Sequence, residues 1–121
     1  MSASFRDLRV WQEAMKLTTE IYRSTARFPK HELYGLSQQI RRAAVSVPSN
    51  IAEGKGHRSD KEFVRFLLHA RGSLLEVQTQ ILIAEELQYF QEREGSHLLA
   101  IAEGVGRALS GLINSMSQKG A

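Results

Sequence analysis

The sequence predicts an all-α protein: an up-down-up-down antiparallel four-helix bundle with a proline-kinked second helix. Three observations carry this. Apolar residues recur at three- and four-residue steps through almost the whole 121-residue chain. Clusters of Pro, Gly and short polar residues interrupt that rhythm at three places. No two-residue alternation of the strand type competes with it. Helices joined by short breaks pack as antiparallel neighbours, expected at about 5–27, 33–54, 60–89 and 92–117 in a single domain covering 1–121.

In the first segment Leu8, Trp11, Met15, Thr18 and Tyr22 form one stripe, with Val10, Ala14, Leu17 and Ile21 on the neighbouring one. Ser4 followed by Asp7 resembles a capping box and places the helix start near Phe5. Phe28-Pro29 ends it, because proline disfavours helical geometry in the residue before it. The second segment carries Leu33, Leu36, Ile40, Ala43, Val47 and Ile51. Pro48 inside it removes a backbone donor, a defect of about 3 kcal/mol, and leaves the carbonyl of Ala44 without its helical partner. Ser46, Ser49 and Asn50 surround the gap and are the expected rescuers.

Ser59-Asp-Lys-Glu62 fits the capping box closely and opens a long third helix. Phe63, Phe66, Leu67, Ala70, Leu74, Val77, Ile81, Ala84 and Leu87 make one stripe there, and Val64, Leu68, Leu75, Leu82 and Ile83 a second. Beyond Gly95 the fourth helix carries a heptad of Leu98, Ala102, Val105, Leu109, Leu112 and Met116, with a tail that frays from Ser117. A bundle helix needs one apolar stripe about 100° wide. The first and third helices carry two, and the fourth has Leu99, Ile101 and Ile113 outside its seam. This surplus predicts self-association, with a foreign helical partner as the alternative.

Composition narrows the function classes. Hydrophobic residues at 42% and charged ones at 24% are ordinary for a folded domain. Without cysteine there are no disulfides, thiolate metal sites or cysteine nucleophiles. No signal-type leader or membrane-length apolar run is present, so a cytoplasmic protein is expected. The net charge of +3 is uneven: +2 over residues 1–40, +4 over 41–71 and −3 over 72–121. A basic middle with an acidic last part suits an anionic partner or contact between opposite faces of copies.

Catalytic patterns are missing. His31, His57, His69 and His97 share no three- or four-residue spacing, so a metal site is not expected. No serine sits in a nucleophile elbow, and Gly54-Lys-Gly56 follows a helix without phosphate-loop spacing. Glu53, after Ile51-Ala52, is the one candidate for a partly buried general base; pairing with Arg42 or capping the helix end is its structural alternative. The reading is therefore a non-enzyme without cofactor or metal. What remains is basic: Lys55, Arg58, Lys61 and Arg65 at the joint between the second and third helices, with Arg41 and Arg42 earlier on the second. Such clusters suit sequence-independent phosphate contact. Arg41 and Arg42 equally suit pairing with acids across an interface.

Phe5-Arg-Asp-Leu8 with Val10-Trp11-Gln12, Phe28-Pro29 with Glu32-Leu-Tyr-Gly-Leu36, Gln39-Ile-Arg-Arg-Ala43, Val47-Pro-Ser-Asn-Ile-Ala-Glu-Gly54 and Ala70-Arg-Gly-Ser-Leu-Leu-Glu76 run in order over most of the chain. Together they closely resemble the four-helix-bundle family found in intervening sequences of 23S ribosomal RNA genes. The last helix matches only in pattern. The resemblance implies a bacterial cytoplasmic bundle assembling as a ring-like homopentamer, most of whose relatives have no established activity. A more distant likeness in architecture links it to the accessory variability proteins of diversity-generating retroelements, implicated in binding nucleic acid and a reverse transcriptase. The combined expectation is a non-enzymatic oligomer whose basic joint contacts RNA or DNA. An assembly or adaptor for a protein partner, such as a reverse transcriptase, is the alternative.

Overall fold

Four helices appear in the computed structural model, which describes residues 4–119: α1 (Arg9–Thr25), α2 (Leu36–Lys55), α3 (Asp60–Glu86) and α4 (Glu94–Lys119). Their ends follow local chemistry and depart from expectation where that chemistry is tighter. Ser4 does act as a cap, but its hydroxyl accepts from the N–H of Arg6 and closes a 3-10 turn over Phe5–Asp7. Leu8 is extended, so α1 starts at Arg9, and an edge-on Phe5–Trp11 contact at 5.2 Å holds the turn against it. α2 likewise starts three residues late. A second 3-10 turn spans Lys30–Glu32, and the Glu32 carboxylate accepts the first helical N–H, that of Leu36, at 3.0 Å. Leu33 is left outside the helix and exposed.

Ser59 caps α3 as expected, accepting from Glu62 N–H at 3.2 Å. The return bond of a capping box is not made, because Arg65 holds the Glu62 carboxylate at 2.9 Å. α3 stops at Glu86, where Gln88 turns left-handed (φ 59°). Tyr89 N–H then bonds Ala84 O and Gln88 N–H bonds Glu85 O, the paired bonds of a Schellman ending. α4 continues to Lys119, past the expected fraying point; Gly120 and Ala121 lie outside the described residues.

α2 runs unbroken through Pro48. The carbonyl freed at Ala44 is met from another helix: the buried Thr18 hydroxyl of α1 shares its proton between Ala14 O at 2.8 Å and Ala44 O at 3.0 Å. Two of the three residues expected to do this, Ser46 and Asn50, bond elsewhere. Asn50 bonds Ser46 O at 2.8 Å, and Ser46 links to Ser73 of α3 at 2.8 Å.

Each helix packs on its neighbours in sequence, and α1 and α4 close the square. Contacts run in opposite senses at every seam. Along α2 and α3, Gly54 backs onto Phe66 while Ser46 meets Ser73. Along α1 and α2, Thr25 meets Arg41 while Thr18 meets Ala44. Gly95 lies by Glu85 and Gly106 by Leu74 on the α3–α4 seam. Arg27 pairs with Glu94, and Glu20 meets His97, on the α1–α4 seam. Four antiparallel seams make the chain run up, down, up and down.

The core takes Val10, Ala14, Leu17 and Ile21 from α1, Ile40, Val47 and Ile51 from α2, Leu67, Leu74 and Ile81 from α3, and Leu98, Ala102, Val105 and Leu109 from α4. In α4 the next core residue is Ile113 rather than the expected Leu112, since a straight helix drifts off a strict heptad. Part of the surplus stays outside: Leu68, Leu75, Leu82 and Ile83 of α3 are 41–59% exposed, as are in part Met15 and Tyr22 of α1 and Val45 of α2, whereas Val64, Leu99 and Ile101 pack partly buried against the core. Leu87, expected on the inner stripe of α3, instead lies just past the helix end and is exposed.

Candidate nucleic-acid interface

The joint between α2 and α3 is built around a glycine. A side chain at Gly54 would place its Cβ 2.6 Å from Phe66 Cβ and 3.0 Å from the Phe63 ring, so only glycine lets the end of α2 settle on the start of α3. Phe63 and Phe66 are buried there. Their rings organise the basic side chains at the rim. Lys55 Nζ lies 5.8 Å from the Phe63 centroid, and the Arg65 guanidinium lies 4.7 Å from that of Phe66. His57 stacks on Phe66 at 5.0 Å and 20°. These are cation–π and stacking geometries that hold the positive groups close to one surface.

The four joint cations are not equally available. Arg65 donates to both Glu62 oxygens at 2.9–3.4 Å. These bonds lower the Glu62 carboxyl below the ordinary carboxylate value and raise the Arg65 guanidinium. Arg58 and Lys61 are exposed and make no ion pair among the described residues. Glu53, Asp60 and Glu62 share the stretch, so the positive excess is small. Asp60 and Glu62 sit in the first turn of α3, where they offset the helix dipole, and Glu62 is already occupied.

Arg41 and Arg42 belong to another part of the molecule. They precede Lys55 by thirteen or fourteen residues on one helix, about 20 Å along its axis. Arg41 is engaged: Nε donates to Thr25 Oγ1 at 2.8 Å, Nη2 donates to the Tyr22 carbonyl at 3.2 Å, and the guanidinium lies 4.7 Å from the Tyr22 centroid. It ties α2 to the last turns of α1. Arg42 is exposed and makes no ion pair among the described residues. The six basic candidates thus divide into a joint group of four, one structural tie and one outlying free arginine.

Glu53 departs from expectation: it is exposed, and it pairs with neither Arg42 nor any other cation among the described residues. Its position on the turn after Ile51-Ala52 faces water rather than the core. Among the described residues no group of three or more His, Asp or Glu side chains has metal-holding geometry, and no helix is long and apolar enough to cross a membrane. Sequence reasoning passed over Tyr34, which stands 85% exposed between two clefts lined in part by Arg42. Its sequence signals are an aromatic residue in a break, between Leu33 and Gly35, and a place in the Glu32-Leu-Tyr-Gly-Leu36 motif, neither of which marks it as a binding residue.

A search of curated proteins finds no match for this chain. Among solved structures it resembles a protein of unknown function from the S23 ribosomal protein family of Bacteroides thetaiotaomicron. The identity is 18%, the TM-score is 0.77, and the overlap covers 86% of this chain and 97% of that one. That likeness supports the fold. Residues 6–111 match the family model of the 23S rRNA-intervening sequence proteins, from Arg6-Asp-Leu8 of the first motif through the third helix and most of the fourth. With its helices and joint as described, the chain belongs to the 23S rRNA-intervening sequence protein family.

Proposed function

We propose that this chain is a non-enzymatic, oligomeric binding protein of the bacterial cytoplasm whose α2–α3 joint contacts RNA or DNA phosphates. The observation that carries the reading is the exposure of Arg58 and Lys61 without a carboxylate partner, beside Lys55 and Arg65 on aromatic rims. Free, clustered cations gain by releasing counterions from a phosphate chain; paired ones gain less. With few aromatic faces open at the joint, contact there is to backbone and shape rather than to bases.

Self-association belongs to the same reading. The exposed leucines of α3 and the exposed Met15 and Val45 of α1 and α2 are two apolar faces on different helices. Two unlike faces suit a head-to-tail contact that closes into a ring, whereas a twofold contact uses one face twice. The family resemblance supports five subunits in that ring. Repeating the joint around a ring multiplies weak phosphate contacts.

A salt-dependent gel shift with mixed RNA and DNA tests the joint. Arg58→Glu with Lys61→Glu is expected to weaken binding to every sequence and to flatten the salt dependence by roughly one log–log unit for each phosphate no longer neutralised. Retention indistinguishable from wild type, or none at low salt, sinks the joint and favours the adaptor reading, with a reverse transcriptase as one protein partner. Light scattering tests assembly separately: a pentamer of the 13.6 kDa chain has a mass of about 68 kDa, and a monomer contradicts the ring.

A further inference from the structure

Among the described residues Tyr34 is the most exposed of the large hydrophobic side chains, at 85%, so its ring contributes almost nothing to the fold. It stands between two clefts in the N-terminal half of α2. The first, about 320 Å³, is lined by Tyr34, Gln38, Gln39, Arg42, Ser46 and Glu76. The second, about 400 Å³, is lined by Tyr22, Leu33, Tyr34, Gln38, Arg41 and Arg42. Tyr34, Gln38 and Arg42 belong to both. Volumes of this size fall in the range of small-ligand sites, about 300–1,000 Å³.

The two clefts differ in chemistry. The first holds the amides of Gln38 and Gln39, the Glu76 carboxylate and one edge of the Arg42 guanidinium, with the Ser46 hydroxyl already bonded to Ser73 and Asn50, and is unsuited to an apolar occupant, which would leave the free groups without partners. The second holds two guanidiniums and no acid. Arg41 is already committed to Thr25 and Tyr22, so Arg42 is the free positive group. An open aromatic ring, a neighbouring set of donors and acceptors, and a free guanidinium are together the complement of one unpaired nucleotide. Its three parts are a flat base, a Watson–Crick edge and a phosphate.

We propose that Tyr34 and its flanking clefts bind an unpaired nucleotide in a single strand. The base stacks on Tyr34 with its edge toward Gln38, Gln39 and Glu76, and the phosphate lies on the Arg42 side. The Glu76 carboxylate only accepts hydrogen bonds, so it selects bases that present donors. Guanine offers two adjacent ones, N1–H and N2–H, matching the two carboxylate oxygens. Uracil offers one N–H flanked by two carbonyls that the carboxylate repels. Guanine is therefore favoured over uracil. This rests on the nucleic-acid reading above and adds to it a base-reading element that the joint lacks.

The test is a fluorescence anisotropy titration with two five-nucleotide RNAs, all-uridine and the same strand with one central guanine, beside a short duplex. Wild type is expected to prefer the guanine strand about tenfold. Tyr34→Ala should weaken both strands about tenfold while leaving the duplex unaffected. Glu76→Gln should abolish the guanine preference. Arg58→Glu with Lys61→Glu should weaken the duplex and spare the preference. Equal binding of the two strands by wild type, or a preference that survives both Tyr34→Ala and Glu76→Gln, overturns the cleft and leaves the joint standing. A guanine preference with no duplex binding upholds the cleft and overturns the joint. A fall in assembly mass for Tyr34→Ala marks the ring as a subunit contact and overturns the proposal. So does the absence of binding to any strand at low salt.

Discussion

Leu67, Leu74 and Ile81 precede Leu68, Leu75 and Leu82 by one residue each on α3, with the same seven-residue spacing and nearly the same chemistry. The first row is 0–1% exposed and the second 41–59%. A 100° rotation about the helix axis separates a core seam from an open face. The inner row holds the chain together. The outer row is apolar surface that the single chain does not use, and it is the part of α3 available to another copy. The largest predicted effect follows directly. Leu74→Ala should cost about 2–5 kcal/mol in urea unfolding, the same at every protein concentration. Leu75→Ala should cost under about 0.5 kcal/mol at high dilution and progressively more as concentration rises, because it weakens assembly rather than folding. A concentration-independent loss of equal size for both would erase the distinction between the rows.

The contrast extends to hydroxyls. Thr18 and Thr79 both donate to the carbonyl four residues back, at 2.8 and 2.9 Å. Thr18 is buried and also serves Ala44, whose carbonyl Pro48 leaves without a helical partner; Thr79 is exposed. Thr18→Val keeps the shape, removes the donor and strands a buried carbonyl, for an expected loss of about 1–3 kcal/mol by thermal or urea unfolding. Thr79→Val should change stability by no more than about 0.5 kcal/mol, since water replaces its bond. If Thr18→Val is also silent, α2 tolerates Pro48 without help from α1.

These pairs show what the sequence could and could not display. The two stripes of α3 are both visible as periodicity, and so are the breaks and the Ser59 cap. Which stripe faces inward depends on where the neighbouring helices lie, and period alone is symmetric in that choice. In α1 the inner stripe is Val10, Ala14, Leu17 and Ile21, while Met15 and Tyr22 of the other remain exposed. The defect at Pro48 was legible, but its partner was not, because Thr18 lies twenty-six residues from Ala44 and meets it only after two helices pack. Site residues divide the same way. Lys55, Arg58, Lys61 and Arg65 are neighbours in sequence and remain so in space. Arg41 and Arg42 are adjacent in sequence, yet one turns onto Tyr22 and Thr25 and the other faces the clefts. That separation is angular, and only the fold reveals it.

The smallest effect concerns charge, where the inner side contributes nothing: the buried polar residues Thr18, Ser24, Thr25, Ser37 and Gln80 include no ionisable group. pH dependence must therefore come from outside the core, and the Glu32–Tyr89 pair is its clearest source. The Glu32 carboxylate accepts from Leu36 N–H at 3.0 Å and from Tyr89 O–H at 2.7 Å, fastening the start of α2 to the α3–α4 connection. The Leu36 bond first, and then the Tyr89 bond, hold its carboxyl below the ordinary 4.5. A depressed carboxyl stabilises the fold above its unfolded value and loses that contribution as pH falls through the folded value. The same hydrogen bond pushes the Tyr89 phenol above its ordinary 10.0, so its contribution is complete below that value and lost as pH rises through the folded one. The pair is thus fully effective between about pH 4.5 and 10. Glu32→Gln should flatten the acid limb of a stability–pH curve, and Tyr89→Phe the alkaline limb. The cost of Leu74→Ala should stay constant across that window. A cost for Leu74→Ala that varies between pH 5 and 9 would mean the inner row is coupled to the titrating surface, and the division between the two sides of α3 would fail.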